Sequence, residues 1–260
     1  ASGVVSPSSL AWTHLKGVTW AKNFQNHFDI LPTQLAPKFR AQMLTTLAQI
    51  GIRATLVAGG PKGDGALTKG DSMELVSQFR PSDGTVVDDT ARPNHHAAML
   101  WFLSDLNSLA QNGWFGYVNP EPLIPAAKIQ QLTDGMGRTT MNLFSPGDVV
   151  SSGSTRDLGQ MLGAVAWFGT QAGSSDLQSQ ATTYANELAS EVETHLESNG
   201  RLADGGDNQA ATQGVVAQGL LWASELDGVD HTGTAESLLD HLFGALWDED
   251  AGTFASGTGD

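Results

Sequence analysis

The sequence predicts a mainly α protein of stacked antiparallel helical hairpins, with a less regular segment at its N-terminus. Three observations predict it. A block of 52–55 residues recurs in the C-terminal half, and matched apolar residues there step by four along the chain. The strand-like and Gly/Pro-rich stretches gather between residues 52 and 93.

The N-terminal segment, residues 1–93, opens with a helix from the Ser8-Ser9 cap to about His27, carrying Leu10, Trp12, Leu15, Val18 and Trp20. Pro32 and Pro37 interrupt it, and a second helix runs from Pro37 to Ile50 before Gly51. Arg53–Ala58 and Val86-Val87 read as strand fragments, with a flexible loop at Gly59–Gly65 between them. That loop lacks the spacing and the Lys-Ser/Thr pair of a phosphate-binding loop, which excludes nucleotide binding there.

The hairpin domain, residues 94–260, begins with a helix over 95–111 that closes at Asn112-Gly113. A shorter helix follows Pro125 to about Leu132, and 145–156 reads as a polar Ser/Gly loop. The repeat comes next. Trp167 and Trp222 lie 55 residues apart, as do Gly173 and Gly228, each glycine a C-cap candidate. Tyr184, Leu188 and Val192 match Leu238, Leu242 and Leu246 at a spacing of 54. Asn199-Gly200-Arg201-Leu202-Ala203 matches Ala251-Gly252-Thr253-Phe254-Ala255 at a spacing of 52. The unit is therefore helix, Gly turn, helix, then a Gly-x-apolar-Ala turn.

Composition limits the function. The 260 residues hold 19 Asp and 9 Glu against 6 Lys and 7 Arg, a net charge of −15 at pH 7. Such a field repels nucleic acid and anionic membranes. Short carboxylates with few lysines resemble the surfaces of salt-adapted archaeal proteins, the alternative being an ordinary acidic bacterial secreted protein, and the expected setting is the exterior or cell surface of a halophilic archaeon. Cysteine is absent, which excludes disulfides, a thiolate nucleophile and Cys-ligated metal. No run of about 18 apolar residues exists, so no transmembrane segment is expected. The Ala1-Ser2-Gly3 start fits a mature end left by export and equally a trimmed fragment, and export is the expectation.

The segment Ala245-Leu246-Trp247-Asp248-Glu249-Asp250-Ala251-Gly252-Thr253-Phe254 resembles the inter-hairpin turn of the (α/α) toroids, which include six-hairpin glycosidases and sugar epimerases. The resemblance covers residues 155–260 and, more loosely, 94–150. It implies a toroid, whole or partial, with a cleft and catalytic acids on inter-hairpin loops. At about 55 residues per hairpin, six hairpins need roughly 330 residues, so the chain is expected to be part of a longer product.

Candidate sites follow. Asp88-Asp89-Thr90-Ala91 with Asn94-His95-His96 is the densest polar cluster. Its adjacent carboxylates suit acid/base work, and Asp88, His95 and His96 suit a divalent cation. It also resembles the Asp-x-Asp-Asp-Thr-Ala motif of class II terpene cyclases, with Val86 at the first acidic position. The structural alternative has Asp89 or Asn94 capping the helix at His95. Asp204 and Asp207 occupy an inter-hairpin turn, where the resemblance implies catalytic acids, and Asp207 is equally an N-cap candidate for a helix near Gln209. Trp114, Phe115 and Tyr117 crowd a Gly-containing loop and are ligand-contact candidates. Asp248, Asp250 and Gly252 do not make a calcium loop, because Gly259 stands where its closing Glu is needed. The leading expectation is a carbohydrate-active or carbohydrate-binding protein. The alternatives are a non-catalytic, self-associating surface or filament subunit, and a metal-dependent enzyme centred on Asp88–His96.

Overall fold

The computed structural model describes residues 3–26, 46–50, 67–69, 72–112, 124–203 and 208–257. It is mainly helical. The chain divides into two compact units, Ala1–Thr139 and Thr140–Asp260. Among the described residues no helix is long and apolar enough to cross a membrane.

Unit 1 is built on two long helices. α1 (Pro7–Asn26) starts one residue before the predicted cap. Pro7 is suited to the first helical turn, and Ser6 Oγ accepts the Ser9 N–H at 3.3 Å. Helical residues 46–50, labelled α2, are the described part of the predicted Pro37–Ile50 helix. The Arg53–Ala58 strand and the Gly59–Gly65 loop lie outside the described residues. β1 (Gln78–Arg80) and β2 (Thr85–Asp88) form an antiparallel hairpin that contains the predicted Val86-Val87 strand, turned by Gly84 at φ 75°.

α3 (Pro93–Gln111) is the core helix of this unit, buried along most of its length. It begins on Pro93, and its N-cap, Arg92, makes no side-chain cap bond. Neither Asp89 nor Asn94 caps it: the fixed φ of Pro93 starts the helix without a side-chain acceptor. α1 lies on α3 through edge-to-face Trp12 and Trp101, 5.7 Å between centroids, and through His14 stacked on Phe102 at 5.6 Å.

α4 (Ala126–Leu143) runs well past Leu132. Gly135 does not end it, because it serves as a packing site: a Cβ there would meet Met73 at 3.2 Å. The predicted 145–156 loop is also helical. α5 (Pro146–Ser152) and the start of α6 (Thr155–Gln171) each carry a reciprocal capping box, Ser145 with Asp148 and Ser154 with Asp157. In each box the carboxylate accepts the cap residue's N–H while the serine accepts the third residue's N–H.

The rest of unit 2 is two stacked hairpins, α6 with α7 (Ser175–Thr194) and α8 (Gln209–Ala223) with α9 (Thr232–Ala245). The matched triplets, Tyr184/Leu188/Val192 and Leu238/Leu242/Leu246, are all buried. α6 and α8 approach closely because glycines face each other's backbone. A Cβ on Gly159 would lie 2.5 Å from Val216, and one on Gly219 would lie 3.0 Å from the Gly159 carbonyl. Trp167 and Trp222 stack on one another at 5.4 Å.

Both Gly-x-apolar-Ala turns form with their glycine at positive φ, 80° at Gly200 and 65° at Gly252. Leu196 pairs with Leu202 in the first, and β3 (Trp247-Asp248) pairs with β4 (Thr253-Phe254) in the second. The predicted C-cap glycines differ from expectation. α6 is capped by Ala172 and α8 by Ser224, while Gly228, at φ 77°, sits farther out in the turn.

Candidate functional site

Asp88 ends β2, and its side chain folds back over the connection to α3. One carboxylate oxygen accepts the Thr90 N–H at 2.9 Å and the other pairs with Arg92 at 3.0 Å. These bonds, Thr90 first and Arg92 after, hold the carboxyl down to about 2. Asp88 is therefore a fixed negative charge at neutral pH, poorly matched to proton transfer. Asp89 next to it is exposed.

His95 and His96 point into unit 1 from the first turn of α3. His95 Nδ1 lies 2.9 Å from Ser8 Oγ of α1. His96 uses both ring nitrogens. Nδ1 lies 3.0 Å from the Arg92 carbonyl, and Nε2 accepts the Leu75 N–H at 3.1 Å. Nδ1 therefore carries the proton. Burial lowers both imidazoles, His96 to about 4. Asp88 is thus bonded to Thr90 and Arg92 beside the start of α3, His95 reaches α1, and His96 ties the segment before β1 to the first turn of α3. Among the described residues, no group of three or more His, Asp or Glu is placed to hold a metal ion.

Asp204, Asp207, Trp114, Phe115 and Tyr117 lie outside the described residues. The N-cap of α8 is Asn208, whose side chain accepts the Ala211 N–H at 2.9 Å. The short amide at the residue after Asp207 does the capping.

Two polar clusters in unit 2 were not among the sequence candidates. The first is buried. Gln213 Oε1 accepts the Leu202 N–H at 2.8 Å, and its Nε2 donates to the carbonyls of Gly200 and Leu238 at 2.9 and 3.1 Å. Gln209, one helical turn earlier, donates to Gln213 Oε1 and to the Leu202 carbonyl. Two amides on α8 thereby satisfy the backbone of the preceding inter-hairpin turn. Their signal was available: two glutamines four apart on an otherwise apolar helix face.

The second cluster joins α7 to the start of α9. His231 Nδ1 lies 2.9 Å from Glu193 Oε1, and Nε2 lies 3.0 Å from Asn186 Oδ1. Thr234 donates its hydroxyl to the same Glu193 oxygen at 3.0 Å. The His231 bond, ahead of the Thr234 bond, holds the Glu193 carboxyl below its ordinary range. A nucleophile would need its hydroxyl on the imidazole, whereas Thr234 gives its proton to the carboxylate.

Two grooves among the described residues carry little chemistry. One of about 390 Å³ lies over Met141, Asn142, Ser179, Thr183, Tyr184 and Glu187, and Tyr184 Oη in its floor donates to the Phe144 carbonyl at 2.6 Å. The other, about 860 Å³, follows α4 past Lys128, Gln131, Asp134 and Arg138. Each has a single carboxylate, so neither offers the facing pair that glycoside hydrolysis requires. No protein-family model matches the chain, and neither a curated protein nor a solved structure matches it.

Proposed function

We propose that the protein is a non-catalytic scaffold subunit, at the cell surface or in a filament of a salt-loving organism, whose stacked hairpins serve assembly. The observation that carries this reading is the use of the described polar clusters. His96, Gln213 and His231 are each bonded to groups of their own unit. Meanwhile Leu221, Phe243 and Trp247 of the α8–α9 hairpin and its turn are exposed. Apolar surface left open beside engaged polar groups favours contact with protein over turnover of a substrate. The test is sedimentation of the purified chain across a KCl series, beside hydrolysis and binding assays on a polysaccharide panel. Mass rising with salt and no turnover is the expected result. A monomer at every salt that cleaves or binds a polysaccharide would overturn it.

A second reading, a carbohydrate-binding or carbohydrate-active protein with a toroid cleft, is favoured by the turn at 247–254. There Trp247 pairs across from Phe254 with Gly252 at positive φ, in the order the toroid turn has. Asp204 and Asp207 would be its acids and Trp114, Phe115 and Tyr117 its sugar contacts. Asp204→Asn and Asp207→Asn abolishing polysaccharide turnover is the result that would establish it.

A further inference from the structure

We infer that Asn199-Gly200 is a self-modification site, a backbone-driven deamidation that the folded turn withholds and whose isoaspartyl product keeps the turn from closing again.

The sequence has two Asn-Gly steps, this one and Asn112-Gly113. Asn-Gly is the step at which a chain most readily attacks itself, because glycine has no side chain to obstruct its own nitrogen. The Gly200 nitrogen gives its proton to water or hydroxide and attacks Cγ of Asn199. The N–Cγ bond forms, the Cγ–Nδ2 bond breaks, and the side-chain nitrogen takes up a proton and leaves as ammonia. Water then opens the five-membered imide at either carbonyl. Hydrolysis of the new bond gives Asp at 199. Hydrolysis of the original peptide bond gives isoaspartate, in which the main chain runs through the former side chain.

The folded turn opposes the first step. Asn199 is exposed, but Gly200 is buried. The Gly200 N–H donates to the Glu197 carbonyl at 3.0 Å, so the proton that must leave is held. Gly200 sits at φ 80°, and a Cβ on it would overlap the Ser237 carbonyl of α9, which leaves the residue no room to turn. From α8, Gln213 donates to the Gly200 carbonyl and accepts the Leu202 N–H. One contact works the other way. The Arg201 N–H donates to Asn199 Oδ1 at 3.0 Å, which draws electrons from Cγ and favours attack. It does nothing while the attacking nitrogen keeps its proton. The turn is therefore primed but held shut, and its local opening is the event that lets the ring close.

The two products differ in what they permit afterwards. Asp at 199 keeps an oxygen for the Arg201 N–H and an ordinary backbone, so the turn re-forms. Isoaspartate adds one carbon to the main chain just ahead of Gly200. With no space even for a methyl group against Ser237, a lengthened chain cannot return Gly200 to α9 and to Gln213 together. A reversible opening thus becomes an irreversible one.

The full chain aged in mildly alkaline buffer, folded and in guanidinium chloride, tests this. Peptide mapping by mass spectrometry follows residue 199 separately from Asn112, and chromatography resolves isoaspartate from Asp. Asn199 should react in the unfolded chain and about tenfold more slowly, or slower still, in the folded one. Gln213→Leu, checked for helix by circular dichroism, should speed the folded reaction about tenfold or more. In hydrogen exchange over 196–202 and 209–220, Asn199→Asp should match the unaltered chain, while the separated isoaspartyl fraction should lose protection. Equal rates in the folded and unfolded chain overturn the inference, and so does an isoaspartyl fraction as protected as the unaltered chain. Those two outcomes need no variant that must fold. A Gln213→Leu chain that keeps its helices yet reacts no faster overturns the control assigned to α8.

Discussion

Unit 1 and unit 2 solve the same problem with different chemistry. Each must satisfy backbone groups where an extended segment meets a helix. In unit 1 the buried imidazole of His96 ties the Leu75 N–H to the first turn of α3. In unit 2 the buried amide of Gln213 ties Gly200, Leu202 and Leu238 to α8. An amide has no proton to gain near neutrality, whereas an imidazole does. His14, His95 and His96, all in unit 1, are each lowered, with burial the first cause. The lowered carboxylates Asp148, Glu193 and Asp230 of unit 2 respond only in stronger acid. Two tethers of similar geometry thus imply different tolerance of mild acid.

The largest effect that would break this comparison is expected from Gln213→Leu. It removes the side-chain partner of the buried Leu202 N–H and of the Gly200 carbonyl, while the Leu238 carbonyl keeps its bond within α9, a loss of about 2–4 kcal/mol. Chemical denaturation at pH 7 and again at pH 5 should give the same loss, because the deleted group does not titrate. A loss that shrinks on acidification would contradict the amide account.

Next is the acid response of unit 1. His96 folded titrates near 4, below the ordinary 6.5. The unfolded chain therefore takes up the proton first as pH falls. The stabilisation is complete above about pH 6.5, declines through the interval, and is gone near pH 4, a span of about 3 kcal/mol. Hydrogen exchange followed from pH 7 to 5, corrected for intrinsic rates, should show protection over 72–100 falling before that over 200–220. His96→Gln should cost about 1–2 kcal/mol at pH 7, since one of two bonds is lost. It should also flatten the decline between pH 6.5 and 4, and an unchanged slope would move the acid response to His14 and His95.

Asp88→Asn should have the smallest effect. Its amide oxygen still accepts the Thr90 N–H, the Arg92 pair is exposed, and the melting temperature should shift little. The difference appears in strong acid. The native chain loses the Asp88 contribution as pH falls from the ordinary carboxylate range through about 2, and the variant has none to lose.

What could be read from the sequence depended on whether a residue's partner was local. The triplets Tyr184/Leu188/Val192 and Leu238/Leu242/Leu246 announced themselves because burial on a helix follows a fixed step. Gly200 and Gly252 did so because positive φ is a local demand that glycine meets. The capping boxes at Ser145 and Ser154 were equally local, yet the Ser/Gly content of 145–156 masked the Ser-x-x-Asp spacing. The spacing of Gln209 and Gln213 marked a polar pair on α8, but what Gln213 binds was not legible. Its partners Gly200 and Leu238 lie 13 and 25 residues away, and a glutamine facing them looks no different from one facing water. Asp88, His95 and His96 drew attention by density, but local density does not show which bonds are already made. Arg92, Ser8 and Leu75 are those bonds.

The contact between Trp167 and Trp222 gives the molecule an optical gauge. The two indoles are equivalent positions of the repeat, one from each hairpin, 5.4 Å apart and inclined by 30°. At that separation their electronic transitions couple, and the chirality of the pair imprints a two-signed band on the circular dichroism spectrum. Either ring replaced by phenylalanine should erase the band while leaving the helices in place. In the unaltered chain its amplitude follows the separation of α6 from α8, so any event that pries the hairpins apart becomes visible without a label.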